Sequence, residues 1–80
     1  MRAPETHVLR LLAEQIKSLR REKGWSQEEL DERAAVQRSY VADLERGYRN
    51  PSVRTLVKVA NAFGIFIGRL FESDPRQKRT

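Results

Sequence analysis

Arg38, Arg46 and Arg49 put three guanidinium groups into one short stretch, interleaved with Gln37, Ser39, Tyr40, Asp43, Asn50 and Ser52. These side chains recognise by hydrogen bonding; none of them pairs a nucleophile with a base. A guanidinium can grip guanine O6 and N7 through two parallel bonds, or hold a phosphate. An amide can bond a base edge or fold back as a helix cap. A carboxylate such as Asp43 can accept from cytosine N4, yet it also repels phosphates. Its other reading is an intrahelical partner for Ser39 or Arg46. The chemistry offered is contact with a polyanion, by base edges or by backbone.

Two short helices must position these groups. Ser26 is a candidate N-cap, and Glu29, three residues on, completes a capping box. Leu30 and Ala34 follow on one face, and Val36, Val41 and Leu44 supply the next apolar set. A second helix packed inward through Val41 and Leu44 leaves Arg38, Ser39, Ala42, Asp43 and Arg46 on its opposite face. Two helices joined by a three- to four-residue corner make a helix-turn-helix, whose second helix lies in the DNA major groove.

The rest of the chain reads as further helices. Pro4 suits a first turn, and Val8, Leu12, Ile16 and Leu19 recur at helical spacing up to Gly24. The spacing predicts helices over 5–23, 27–34 and 37–46, the last ended by Gly47. Ser52 is the N-cap expected for a fourth, with Val53, Leu56, Val59, Ala60 and Phe63 inside and Gly64 as its stop. Ile65–Phe71 is expected to form a short fifth helix. There is no strand-like alternation, so the expected fold is all-α, a compact five-helix bundle over residues 1–72. Residues 73–80 carry no apolar side chain and read as a disordered basic tail.

Composition narrows the function. Eighty residues make one domain, too small for a deep substrate cavity. Sixteen Lys and Arg against 11 Asp and Glu give a net charge of +5 and a polyanion preference. There is no cysteine, and the single histidine, His7, cannot build a metal site. No catalytic residue, cofactor or metal is expected. Met1–Glu5 does not read as a signal peptide, and no apolar run is long enough to span a membrane. The expected location is the cytoplasm.

The sequence resembles the phage repressor and Cro family of helix-turn-helix regulators, the XRE family with its lambda-repressor-like fold. The resemblance rests on residues 16–30, Val36, Arg38–Val41, Leu44–Ser52, Thr55–Ile65 and Leu70–Phe71. It implies a sequence-specific, double-stranded-DNA-binding transcriptional regulator acting as a homodimer on an inverted-repeat operator. It also implies a structural salt bridge between Arg20 and Glu45. Arg-Ser-Tyr at 38–40 is similar to restriction–modification controller proteins. Two positions depart from the family pattern. Asp31 stands where alanine is usual, and a local cationic partner is expected for it. Ala35 stands where glycine is usual, so a less sharply left-handed corner is expected.

The resemblance sorts the candidates. Arg38 is the foremost base reader, against a phosphate contact or a solvated side chain. Gln37, Ser39 and Asp43 are the other candidate base readers. Gln27, Arg46, Arg49, Asn50 and Ser52 are expected at phosphates. Tyr40 offers a phosphate its hydroxyl or packs its ring inward with a wet tip. In some phage repressors an acidic patch on helix two touches RNA polymerase; here it would comprise Glu28, Glu29, Asp31 and Glu32. Family members dimerise through the C-terminal helix, which makes Ile65, Phe66 and Gly68 the expected dimer contact. Phe66 folded onto its own core is the other reading. A protein-interaction adaptor or antitoxin-like module on the same fold is the alternative function.

Overall fold

The computed structural model describes residues 4–72. They form α1 (Pro4–Lys23), α2 (Gln27–Ala34), α3 (Tyr40–Glu45), α4 (Val53–Phe63) and a C-terminal 3₁₀ helix (Ile67–Phe71). The expected tail, 73–80, lies outside the described residues. No strand occurs among those described.

The core joins one stripe from each element. Leu12 and Ile16 of α1, Leu30 of α2, Val41 and Leu44 of α3, Val59 of α4 and Leu70 of the 3₁₀ helix are fully buried. Trp25, in the corner between α1 and α2, stacks on Phe63 with ring centroids 5.6 Å apart. The Arg33 guanidinium lies over the same indole at 4.3 Å, held by two hydrogen bonds to Glu29. That arrangement ties α2 and α4 to the end of α1.

Two expected core residues are exposed. Val53 is 70% exposed because it sits at the edge of the α4 stripe, roughly 70° from its centre at 3.6 residues per turn. Val8 is 41% exposed. It shares the helical spacing of Leu12 and Ile16, but lies one turn nearer the start of α1.

The expected fifth helix is a 3₁₀ helix, so the described residues form four α-helices and a 3₁₀ turn rather than a five-helix bundle. Gly64 ends α4 in the left-handed region, and Phe66 is extended. The chain then closes i→i+3 bonds, Arg69 N–H donating to Phe66 C=O at 2.9 Å. Only five residues remain in this element and one is Gly68, too few for a stable α-helical run. Gln15, buried on α1, donates from Nε2 to the Arg69 carbonyl at 2.7 Å and pins this segment to the body.

The third helix is also shorter than expected. It begins at Tyr40, not residue 37, because Ser39 adopts φ 72° and breaks the run. Arg38 and Ser39 form the turn ahead of it.

Candidate nucleic-acid interface

The candidate interface is built on the corner between α2 and α3. Ser26 caps α2 by accepting the Glu29 N–H at 3.0 Å. The helix closes at Ala35, which is fully left-handed at φ 58° and ψ 44°. The absence of glycine therefore does not blunt the corner. The strain is offset by two bonds that satisfy the helix end, Ala35 N–H to Glu32 C=O at 3.1 Å and Val36 N–H to Asp31 C=O at 3.0 Å.

Asp31 has no cationic partner among the described residues; it caps α3 instead. Its carboxylate accepts the Ser39 N–H at 3.0 Å and the Val41 N–H at 2.8 Å, with the residue only 4% exposed. Ser39 leaves the cap to it, since its own hydroxyl makes no capping bond. An aspartate on α2 thus satisfies the free N–H groups of a neighbouring helix and braces the left-handed turn at Ser39. The departure from alanine at this position was the visible signal. Charge pairing was the wrong inference from it, because at this burial two fixed N–H donors serve a carboxylate well.

Below the corner, Arg20 and Glu45 pair through two bonds. Nε donates to Oε2 at 2.6 Å and Nη2 to Oε1 at 3.0 Å. The third guanidinium nitrogen, Nη1, donates to the Trp25 carbonyl at 2.8 Å. The hydrogen bonds that the Arg20 guanidinium donates to Glu45 hold it charged still more firmly than usual, against the opposing effect of burial. Gln27 Nε2 donates to Glu45 Oε1 at 3.0 Å, so this candidate phosphate contact is joined to the buried pair.

The remaining candidates are spread over the turn before α3, α3 itself, the loop before α4 and the C-terminal segment. Gln37 and Arg38 are exposed, and Gln37 gives its backbone carbonyl to Tyr40 N–H at 3.1 Å. Arg38 makes no hydrogen bond or ion pair to a described residue. Tyr40 is 8% exposed, its ring inward, with the Arg49 guanidinium 4.7 Å above it. Asp43 holds Arg46 at 2.6 Å and stands 3.6 Å from Arg49. Asn50 is exposed on the loop before α4. Ser52 caps α4, accepting the Thr55 N–H at 3.1 Å. Ile65 is half-buried, while Phe66 is 78% exposed and not folded onto the core. A Cβ on Gly68 would stand 3.5 Å from the Phe66 ring. Phe66 and Gly68 lie together on the C-terminal segment.

Residues 16–66 match the family described as helix-turn-helix. The chain belongs to this helix-turn-helix family. It is 45% identical over 56 residues to an uncharacterized HTH-type transcriptional regulator of Sinorhizobium fredii, covering 70% of this chain and 73% of that one. To the immunity repressor protein of Bacillus phage phi105 it is 42% identical over 59 residues, 74% of this chain but 41% of the repressor. Among solved structures, the restriction–modification controller protein of Aeromonas hydrophila superposes with a TM-score of 0.76 at 40% identity, covering 79% of this chain and 96% of that one. A second controller protein, a tetramer in complex with its natural 35 base-pair operator, superposes at 0.69 with 25% identity, over 81% and 96% of the two chains. This helix-turn-helix chain is thus an XRE-type member, similar to phage repressors and to controller proteins. Among its described residues no helix is long and apolar enough to cross a membrane, and no group of His, Cys, Asp or Glu could hold a metal ion.

Proposed function

We propose that this chain is a sequence-specific regulator of transcription that binds double-stranded DNA as a homodimer on an inverted-repeat operator. The observation that carries the reading is Arg38. It is an exposed guanidinium without a partner among the described residues, on a turn fixed by the buried Asp31 cap. Side chains at this end of α3 reach base edges when the helix lies in the major groove. Gln37 and Ser39 flank Arg38 on the same turn. Arg46, Arg49, Asn50 and the first N–H groups of α4 lie further along the chain and hold phosphates. Gln27 and Tyr40 would add to them after small movements of their tips. Relatives that are regulators, and a fold neighbour solved on its operator, support this reading.

The dimer uses the C-terminal segment, where the Phe66 ring is exposed and Gly68 admits a close neighbour. An approach of RNA polymerase to α2 has less to hold than the acidic sequence offers. Asp31 is withdrawn into the α3 cap and Glu29 is paired with Arg33, leaving Glu28 and Glu32 exposed.

Selection of bound sequences from a random DNA pool tests the function. The expected result is an inverted repeat whose affinity falls by roughly 10³–10⁵ between 50 and 200 mM salt, for about 6–10 phosphates engaged. No enrichment and a flat salt dependence would favour an adaptor that binds protein.

A further inference from the structure

Asp43 stands on the outer side of α3 between two cations. One carboxylate oxygen meets Arg46 Nη2 at 2.6 Å, and the other lies 3.6 Å from Arg49 Nε. Both guanidinium groups also lie over aromatic rings, Arg46 over Tyr48 at 5.1 Å and Arg49 over Tyr40 at 4.7 Å. Two arginines at +1 each and one aspartate at −1 leave this cluster at +1. Arg38, in the turn just ahead, makes no ion pair to a described residue.

We propose that Asp43 is a brake on nonspecific DNA binding: it masks Arg46 and Arg49 on the free protein, and a duplex must displace it before either holds a phosphate. The inference rests on the DNA-binding reading above and adds a source for its selectivity.

Attraction between cations and phosphates is independent of sequence, so every unmasked arginine strengthens binding everywhere. A carboxylate within contact of two arginines competes with phosphate for both and repels the incoming strand. Exposed ion pairs are weak, and Arg46 and Arg49 are about half exposed, so the brake is graded rather than a lock. Its release differs between DNA sequences. Where a cytosine N4 amino group faces α3, the freed carboxylate regains a donor. Where none does, it stays unpaired in the groove, and that site is rejected. Discrimination by a penalty on wrong partners needs such a repulsive group.

The test uses the whole chain and a pool of short random-sequence duplexes, titrated across a range of salt. Asp43→Asn and Asp43→Ala should each bind the pool several-fold more tightly, with a salt slope steeper by about one. Asp43→Glu keeps the charge and should bind the pool less tightly than the Asn and Ala variants. If the Asn and Ala variants bind no tighter than wild type, the inference is wrong while the DNA-binding reading stands. A wild type that binds no duplex even at low salt overturns both. Circular dichroism checks each fold. If Asn and Ala both unfold the chain, Asp43 is a structural group and the inference also falls.

Discussion

The carboxylate of Asp31 on α2 accepts the backbone N–H of Val41 on α3 at 2.8 Å, in a buried setting. Its second oxygen takes the N–H of Ser39. One side chain therefore fixes both the angle between the two helices and the left-handed turn that carries Arg38. Asp31→Ala leaves two N–H donors without an acceptor, at about 1–3 kcal/mol each where they stay buried. The variant should melt well below wild type. Asp31→Asn keeps one acceptor oxygen and should fall between them. Thermal melts of the three proteins decide it, and an Ala variant as stable as wild type would show that water can replace the cap.

Arg20 and Glu45 are a second joint, made of side chains alone. Glu45 is 3% exposed in its side chain and also accepts from Gln27. Arg20→Ala would strand that carboxylate, and breaking a buried pair from one side costs about 3–5 kcal/mol. Arg20→Lys retains charge but not the two-bond fork or the link to the Trp25 carbonyl, so it should recover only part of the loss. Denaturant melts measure both. Wild-type stability in the Ala variant would mean that the pair contributes little in solution.

Arg38 should matter to recognition and not to folding. Its side chain touches no described hydrogen-bonding partner, so Arg38→Ala should melt as wild type. Operator affinity should fall by about 1–3 kcal/mol per half-site, with little change on random DNA. If the variant keeps the wild-type preference among operator variants, the guanidinium holds a phosphate or nothing.

The sequence displayed most of this architecture because its signals are local. Ser26 and Ser52 cap their helices as their positions suggest, and Leu30, Ala34, Val41 and Leu44 are buried at the spacing that predicts it. What it hid depends on contacts between distant residues. Nothing near Gln15 in the chain marks it for burial, yet it is buried and donates to a carbonyl 54 residues away. Asp31 reads as one more acid of an acidic helix, and only the approach of α3 reveals its two N–H partners. The late start of α3 has the same origin. Tertiary bonds to Asp31 stabilise a left-handed serine that local propensity would place in the helix. Asp43 was legible as either base reader or intrahelical partner; its contact with Arg49 requires the loop after α3 to fold back across the helix.

Phe66 tests the proposed dimer. One recognition helix reads only a few base pairs, whereas a two-fold pair doubles the read. It also demands half-sites about one DNA turn apart, ~34–36 Å, on one face of the duplex. Phe66 is 78% exposed, so replacing it removes little from the packing of the single chain. Phe66→Glu should therefore fold normally by circular dichroism and sediment as a monomer. Its operator affinity should drop far more than its affinity for random DNA, because each subunit still carries Arg38, Arg46 and Arg49. A variant that remains dimeric would move the interface elsewhere, and exposed Phe71 and Val8, 39% and 41% accessible, are the apolar residues to replace next. An unfolded variant would instead mean that the Phe66 ring, against Gly68, supports the 3₁₀ helix that closes the core.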